Sequence, residues 1–371
     1  MTFRTIESDG PLRLVVVGAG GMGRAWTRAI QADPGTELVG IADLFSAAAE
    51  SAAAETGIPD LAVGADAVEL VRRTGADAIV NATVPEAHHP VTTAALLAGI
   101  PVLGEKPVAA SVAEGLSLAA AAEHTGQLFM VSQSRRYHRS LFQVKRQLAA
   151  LGAVGFVAVE FFKAPHFGGF RDEMASPLLL DMAIHQFDMA RFLLDADPVS
   201  VSCEEYNPAW SWYDGDAAAN AVFAMEGGAR FTFNGSWCSP GFETSWNGAW
   251  RISAERGTVL WDGDGEPDSD PETSVADAED PRHEIAGSLR EFTAALRFGT
   301  EPMGRVHANV MSLAMVEAAI QSAAQGRRVA IDDVLERSYE AALATERNAE
   351  VLGVLKSWPS VRDALSRKKT E

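Results

Sequence analysis

The 371-residue sequence predicts an α/β chain in which an N-terminal doubly wound parallel sheet is followed by a C-terminal α+β domain with a mainly antiparallel, open sheet. Three observations predict it. Over residues 12–132, short apolar runs alternate with alanine-rich segments of helical length, as in a βαβ series. The turn Gly18-Ala19-Gly20-Gly21-Met22-Gly23 joins the first run to the first such segment. Beyond Tyr137 the texture shifts to alternating or aromatic-rich runs, the pattern of antiparallel strands. The chain is too long for one ordinary core, and the division falls between residues 1–133 and 134–371.

In the first part, strands are expected at 12–17, 38–42, 78–82, 101–103 and 128–132, and helices at 22–32, 46–56, 65–73, 88–98 and 111–124. Gly57, Gly75, Gly99 and Gly126 stand where helices commonly end. In the second part, strands are expected at 156–162, 219–225, 229–233 and 258–261. Residues 262–280, dense in Asp, Glu, Pro and Gly, read as a solvated connection between strands. A helix over 305–325, a short extended return over 327–331, a helical stretch over 332–355 and a loose charged end at 366–371 complete the chain.

Hydrophobic residues at 47% and charged residues at 22% describe a globular protein rather than a disordered one. A formal charge of −19 sets up a field that repels nucleic-acid phosphates and anionic membranes, so neither is an expected partner. Cys203 and Cys238 are too few for a disulfide scaffold and lack the spacing of a zinc site, and read as buried thiols. Residues 1–13 lack the apolar core of a signal peptide and no apolar run spans a bilayer, so a cytoplasmic protein is expected. Trp210, Trp212, Trp237, Trp246, Trp250 and Trp261 concentrate flat amphipathic surface in one region, either as core and interface or as a substrate wall.

The glycine turn follows the apolar run Leu14-Val15-Val16-Val17, and Asp43 stands twenty residues after Gly23 at the end of a second run. A G-x-G-x-x-G turn between strand and helix lets backbone approach a pyrophosphate at the helix N-terminus, and a carboxylate at that distance meets ribose hydroxyls. Alone, the turn is also compatible with a tight corner that binds nothing. No Arg follows Asp43, only Leu44 and Phe45, which favours NAD over NADP. Gly104-Glu105-Lys106-Pro107 follows a short strand, at the sheet edge where such folds bind ligands. Proline after Lys106 holds the lysine's backbone extended, although a lysine beside a turn is more often a solvated surface charge. On a helix over 178–191, Asp181, His185 and Asp188 share one face while Leu180, Ile184 and Phe187 cover another. A histidine beside a carboxylate makes a tunable proton acceptor; the bland alternative is a polar stripe on an ordinary helix. No metal is expected, since no H-E-x-x-H or clustered Cys/His spacing accompanies these residues.

These segments, together with Asn81-Ala82-Thr83-Val84-Pro85-Glu86-Ala87-His88 and the run from Ala98 to Pro107, resemble the Gfo/Idh/MocA family of nicotinamide-dependent oxidoreductases over most of the chain. The resemblance implies an N-terminal Rossmann domain, a C-terminal α+β domain whose open sheet builds a homo-oligomer (dimer or tetramer), and a dinucleotide held between them. It implies hydride transfer between a sugar, glycoside or inositol hydroxyl carbon and the nicotinamide, with Lys106 and His185 at the reacting oxygen and Asp181 beside the imidazole. The cofactor contacts expected are Gly18, Gly20, Gly21, Met22, Gly23, Asp43, Thr83, Pro85, His88, Glu105 and Lys106. Substrate contacts are expected from Arg135, Tyr137, Asp181 and His185. Ala183, with Ser176-Pro177 upstream, replaces glycines common in the family and narrows that stretch. The alternatives are NAD-assisted glycoside cleavage with retained cofactor and a non-catalytic NAD-binding regulator.

Overall fold

The computed structural model describes residues 3–7, 10–273 and 283–366. They form two compact units, one from the described residues of 3–134, 284–310 and 337–366 and the other from those of 135–283 and 311–336. Residues 284–310 and 337–366, expected within the C-terminal part, thus pack with the N-terminal unit.

The first unit opens with β1 (Leu12–Val17), α1 (Gly21–Ala32), β2 (Thr36–Ala42), α2 (Ser46–Thr56), β3 (Ala62–Gly64) and α3 (Ala67–Thr74). It continues through β4 (Ala78–Asn81), α4 (Pro85–Leu97), β5 (Val102–Glu105), α5 (Val112–Thr125) and β6 (Phe129–Ser132). The six strands are parallel in the order β3-β2-β1-β4-β5-β6. Helices on both faces bury the strands, and β1 and β4 accordingly read as nearly unbroken apolar runs. Gly126 closes α5 in the left-handed conformation, its N–H donating to Ala122 O at 3.0 Å, as the sequence anticipated. β3 was not anticipated because three residues carry too little pattern to register.

The second unit begins with α6 (Arg139–Leu151) and β7 (Val154–Phe162). A π-helical turn, Leu178–Ala183, then leads into α7 (Ile184–Leu194). There follow β8 (Pro198–Tyr206), β9 (Ala218–Met225), β10 (Arg230–Ser236), β11 (Ala249–Ala254), β12 (Gly257–Trp261) and β13 (Asp268–Asp270). α8 (Glu284–Phe298) belongs to the first unit, and the rest of the chain is α9 (Val306–Gln325), β14 (Val329–Ala330), α10 (Ile331–Thr345), α11 (Ala349–Ser357) and α12 (Val361–Leu365). The eight-stranded sheet runs β13-β12-β11-β7-β10-β9-β8-β14, antiparallel throughout except between β7 and β10.

Four strands (β3, β8, β11 and β13) and three helices (α6, α8 and α12) exceed the sequence reading. β8 ends in Glu204-Glu205-Tyr206, where two adjacent acids hide the alternation, and β11 pairs centrally against β7 despite Arg251. β13 lies inside the stretch read as a solvated connection, of which 274–280 fall outside the described residues. The helical stretch over 332–355 is two helices, because Asn348 caps α11 by accepting from the N–H groups of Glu350 and Val351. Of the expected loose end, 367–371 lie outside the described residues.

The C-terminal segments join the first unit through polar anchors. Ser288 of α8 meets Ser132 at 2.9 Å, and Glu123 of α5 receives both His307 Nε2 at 2.7 Å and Trp358 Nε1 at 3.1 Å. In the second unit, α7 lies on the inner sheet face, where Phe187 meets the rings of Phe223, Phe231 and Phe233 edge-on at 4.8, 5.9 and 5.4 Å. Phe187→Ala removes the centre of that cluster and is expected to cost about 3–5 kcal/mol, read from urea unfolding followed by tryptophan fluorescence.

Candidate active site

In a parallel sheet every strand ends at the same edge, so the turns after β2, β1, β4 and β5 line up in that order. Gly18, at φ 99°, sits at the β1/β4 boundary, where the strand order reverses; a Cβ there would lie 2.7 Å from Ala82 O. A Cβ on Gly23 would lie 1.8 Å from Gly18 O, so α1 starts in backbone contact with the turn. Gly20 and Gly21 are the opposite case, exposed and with nothing within 4 Å of an added Cβ. Gly20 caps α1 with no side-chain acceptor, and no acid occupies the first turn, which leaves the positive end of the helix facing open space.

Asp43 is oriented by the backbone: Ala19 N–H donates to Oδ2 at 2.8 Å and Phe45 N–H to Oδ1 at 2.9 Å. Each carboxylate oxygen keeps a further lone pair for a hydroxyl. Leu44 and Phe45 are 84% and 75% exposed beside it, an apolar shelf without a cation for a 2′-phosphate. This cradle fits a dinucleotide: room at Gly20 and Gly21 for the pyrophosphate, a fixed carboxylate for the ribose, and Met22 contributing backbone while its side chain points outward.

Lys106 lies one step further along the same edge, between two buried neighbours. Trp26 Nε1 of α1 donates to Glu105 Oε1 at 2.8 Å, and Lys106 N–H donates to Glu105 Oε2 at 3.2 Å. His88 Nδ1 stands 2.7 Å from Pro107 O and Nε2 stands 3.1 Å from Thr83 O. Thr83 is tied back by its hydroxyl, which donates to Asn81 Oδ1 at 2.7 Å, and Pro85 opens α4. Glu105 and His88, expected as cofactor contacts, are thus buried under the edge and engaged with protein groups, whereas Lys106 is half-exposed upon it. Burial pushes His88 below the usual histidine range, with Lys106 adding to the effect against the two backbone carbonyls and Glu86.

In the second unit the residues that the sequence grouped on one helix face meet different partners. Asp188 is a buried structural partner: Arg136 donates to it through Nε at 2.5 Å and Nη2 at 2.6 Å, and Ser312 Oγ donates at 2.7 Å. Asp181 stands in the π-helical turn, half-buried, and accepts from Arg171 Nε at 2.6 Å. The wider π turn breaks the regular spacing that the sequence reading assumed. His185 is buried in the first turn of α7, next to Gln186, whose amide donates to Trp246 O at 3.2 Å. Arg135 and Tyr137 share a 3-10 turn over Ser134–Tyr137, Arg135 half-buried and Tyr137 buried.

The guanidinium of Arg171 lies over the rings of Phe170 and Phe167 at 4.7 and 5.5 Å. Burial, reinforced by the nearby carboxylates of Asp172 and Asp181, pushes Tyr213 up to about 12 and keeps its hydroxyl protonated. Trp237, read as a possible substrate wall, is fully buried with Tyr213 stacked upon it at 5.6 Å, while Trp210 is exposed. Trp26 and Arg171 escaped the sequence reading. Trp26 and Arg136 act on partners 79 and 52 positions away, and local spacing carries no trace of such pairs.

The comparisons agree with this geometry. Residues 12–133 match the model of an oxidoreductase family with an NAD-binding Rossmann fold, and residues 145–260 match the GFO/IDH/MocA C-terminal domain. An inositol 2-dehydrogenase of Rhizobium meliloti is 24% identical over 86% of this chain and 99% of its own length. Inositol 2-dehydrogenase 1 of Saccharopolyspora erythraea is 33% identical over 52% of this chain, a match spanning 57% of that protein. An Agrobacterium radiobacter oxidoreductase, crystallised with NAD+, L-tartaric acid and magnesium, superposes with a TM-score of 0.78 at 22% identity, covering 87% of this chain and 99% of that one. The fold and the dinucleotide cradle define an NAD-binding oxidoreductase. The chain belongs to the GFO/IDH/MocA family, residues 12–133 forming its Rossmann domain and 145–260 its C-terminal domain.

Two predictions follow from these contacts. Gly20→Ala, whose methyl meets no protein atom, leaves the melting temperature unchanged but weakens NAD binding by about tenfold, ~1.4 kcal/mol by calorimetric titration, whereas Gly23→Ala lowers both. Glu205 is pushed up to about 7 from 4.5 by burial, with Asp216 adding to the effect and the Ser176 hydroxyl opposing it. The folded chain then holds that proton more tightly than the unfolded one, so stability falls as pH rises from 4.5 through about 7. Glu205→Gln is therefore expected to melt higher than the parent at about pH 8, with the difference closing as pH falls to the ordinary carboxylate range.

Proposed function

We propose that the chain is a dehydrogenase acting on a hydroxyl-bearing carbon of a sugar, glycoside or inositol, with NAD as its cofactor and Lys106 and His185 acting at the reacting oxygen. The observation that carries this reading is the placing of a lysine, anchored on both sides, on the sheet edge that holds the glycine turn and Asp43. The relatives named inositol 2-dehydrogenase support the substrate class. Gly18, Gly20, Gly21, Met22, Gly23 and Asp43 hold the dinucleotide, and the shelf of Leu44 and Phe45 favours NAD over its phosphorylated form. Bound NAD supplies the acceptor for the hydride.

The chain's own residues do the rest. His185, as a neutral imidazole, accepts the proton of the substrate hydroxyl, and burial keeps bulk water from competing for it. The Lys106 ammonium donates to the same oxygen and favours its negative charge. Asp181, one turn before His185 and held by Arg171, supplies negative charge on the side from which the imidazolium is stabilised. Arg135 and Tyr137 are the candidates for reading further hydroxyls. The outward sheet face carries Phe156, Val222 and Leu260, which supports assembly into a homo-oligomer through that face.

The test follows the near-ultraviolet absorbance of reduced nicotinamide with NAD or NADP across inositols, sugars, glycosides and sugar acids. One class is expected to drive reduction, with NAD preferred. His185→Ala is expected to slow turnover ~10²–10⁴-fold while NAD affinity stays unchanged, and a parallel loss of affinity overturns its role. Redox-neutral glycoside cleavage with retained NAD, or tight NAD binding with no turnover, overturns the dehydrogenase reading.

A further inference from the structure

His88 is 2% exposed on α4, yet both of its ring nitrogens face carbonyl oxygens, Pro107 O at 2.7 Å and Thr83 O at 3.1 Å. A carbonyl only accepts, and a neutral imidazole has one N–H to give. Burial favours the neutral ring, and among the charged groups nearby Lys106 opposes its protonation while Glu86 promotes it. The single proton belongs on the shorter contact, so Nδ1–H donates to Pro107 O. That bond fixes the residue immediately after Lys106, just as the Trp26–Glu105 bond fixes the residue immediately before it.

We propose that His88 is a positioning residue that aims Lys106 by holding the Pro107 carbonyl, and that it does not itself touch the cofactor. The proposal rests on Lys106 acting at the reacting oxygen. Its chemistry is specific enough to be separated from general packing. An Asn side chain places an amide N–H near the position of the imidazole Nδ1, whereas a Gln reaches toward the position of Nε2 and Thr83. The role therefore predicts that one amide substitutes for His88 and the other does not.

The experiment compares His88→Ala, His88→Asn and His88→Gln in the intact protein, with turnover measured on myo-inositol or whichever polyol the panel selects. NADH affinity is read by fluorescence titration, and amide hydrogen exchange is followed over residues 105–110. His88→Ala and His88→Gln are expected to lose about 10²-fold in kcat, the scale of a misplacement of about 1 Å, with NADH affinity held and exchange over 105–110 accelerated. His88→Asn regains most of the turnover and the slow exchange. Adding His88→Ala to Lys106→Ala costs nothing further, because the residue acts through a lysine already removed.

NADH affinity falling in step with kcat, rescue by Gln instead of Asn, or full additivity with Lys106→Ala each overturns the proposal. If His88→Ala fails to fold, the Asn and Gln variants decide alone, and failure of both to fold overturns the assignment in favour of a packing role. Lys106→Ala at full activity instead sinks the reading of Lys106, whereas a slow Lys106→Ala beside a normal His88→Ala sinks only the present inference.

Discussion

The close backbone approach at the end of β1 constrains everything around it. Neither Gly18 nor Gly23 has room for a Cβ, because one abuts the carbonyl of Ala82 and the other the carbonyl of Gly18. With side chains excluded, α1 begins directly at the sheet edge and β4 ends against the turn. That proximity lets Asp43, at the end of the neighbouring β2, receive the N–H of Ala19 within the same turn. The cradle is therefore a property of backbone packing between three parallel strands and one helix. Its recognition groups are largely main-chain N–H groups, which cost no side-chain entropy to fix.

In the proposed function Lys106 acts on substrate and needs the same fixity, which it obtains indirectly. A lysine carries a long, flexible stem, and only its backbone can be held without blocking its head. Here the clamps fall on the residues before and after it, through Trp26 on α1 and His88 on α4. The helix that presents its N-terminus at the glycine turn thus also anchors the residue preceding the lysine. A shift of α1 moves both, and this ties the dinucleotide cradle to the placement of Lys106 within one rigid layer.

How much of this was legible in the sequence follows from the range of each interaction. The parallel sheet declared itself through local periodicity, and the glycine turn, Asp43 and Lys106 through short spacings. Each of these is set by neighbours within one βαβ unit. The role of Asp188 was not legible: its spacing from His185 suits a shared face, but its partners Arg136 and Ser312 lie 52 and 124 positions away. The return of 284–310 and 337–366 to the first unit was invisible for the same reason, since it depends on Glu123 meeting His307 and Trp358 across nearly the whole chain.

The second unit holds α7 and the turn before it by a different balance. Asp188 is neutralised by Arg136 deep in the core, where a bare carboxylate would be costly, and its hydrogen bonds from Arg136 and Ser312 fix the helix. Asp181 is neutralised by Arg171 where the turn widens into a π-helix, in a more exposed position and against the rings of Phe167 and Phe170. A carboxylate met by a guanidinium raises the proton affinity of a neighbouring imidazole less than a bare one does. In the proposed mechanism Arg171 belongs to the acid/base couple as much as Asp181 does, although it comes from a short 3-10 turn, Gly169–Arg171, that no motif marks.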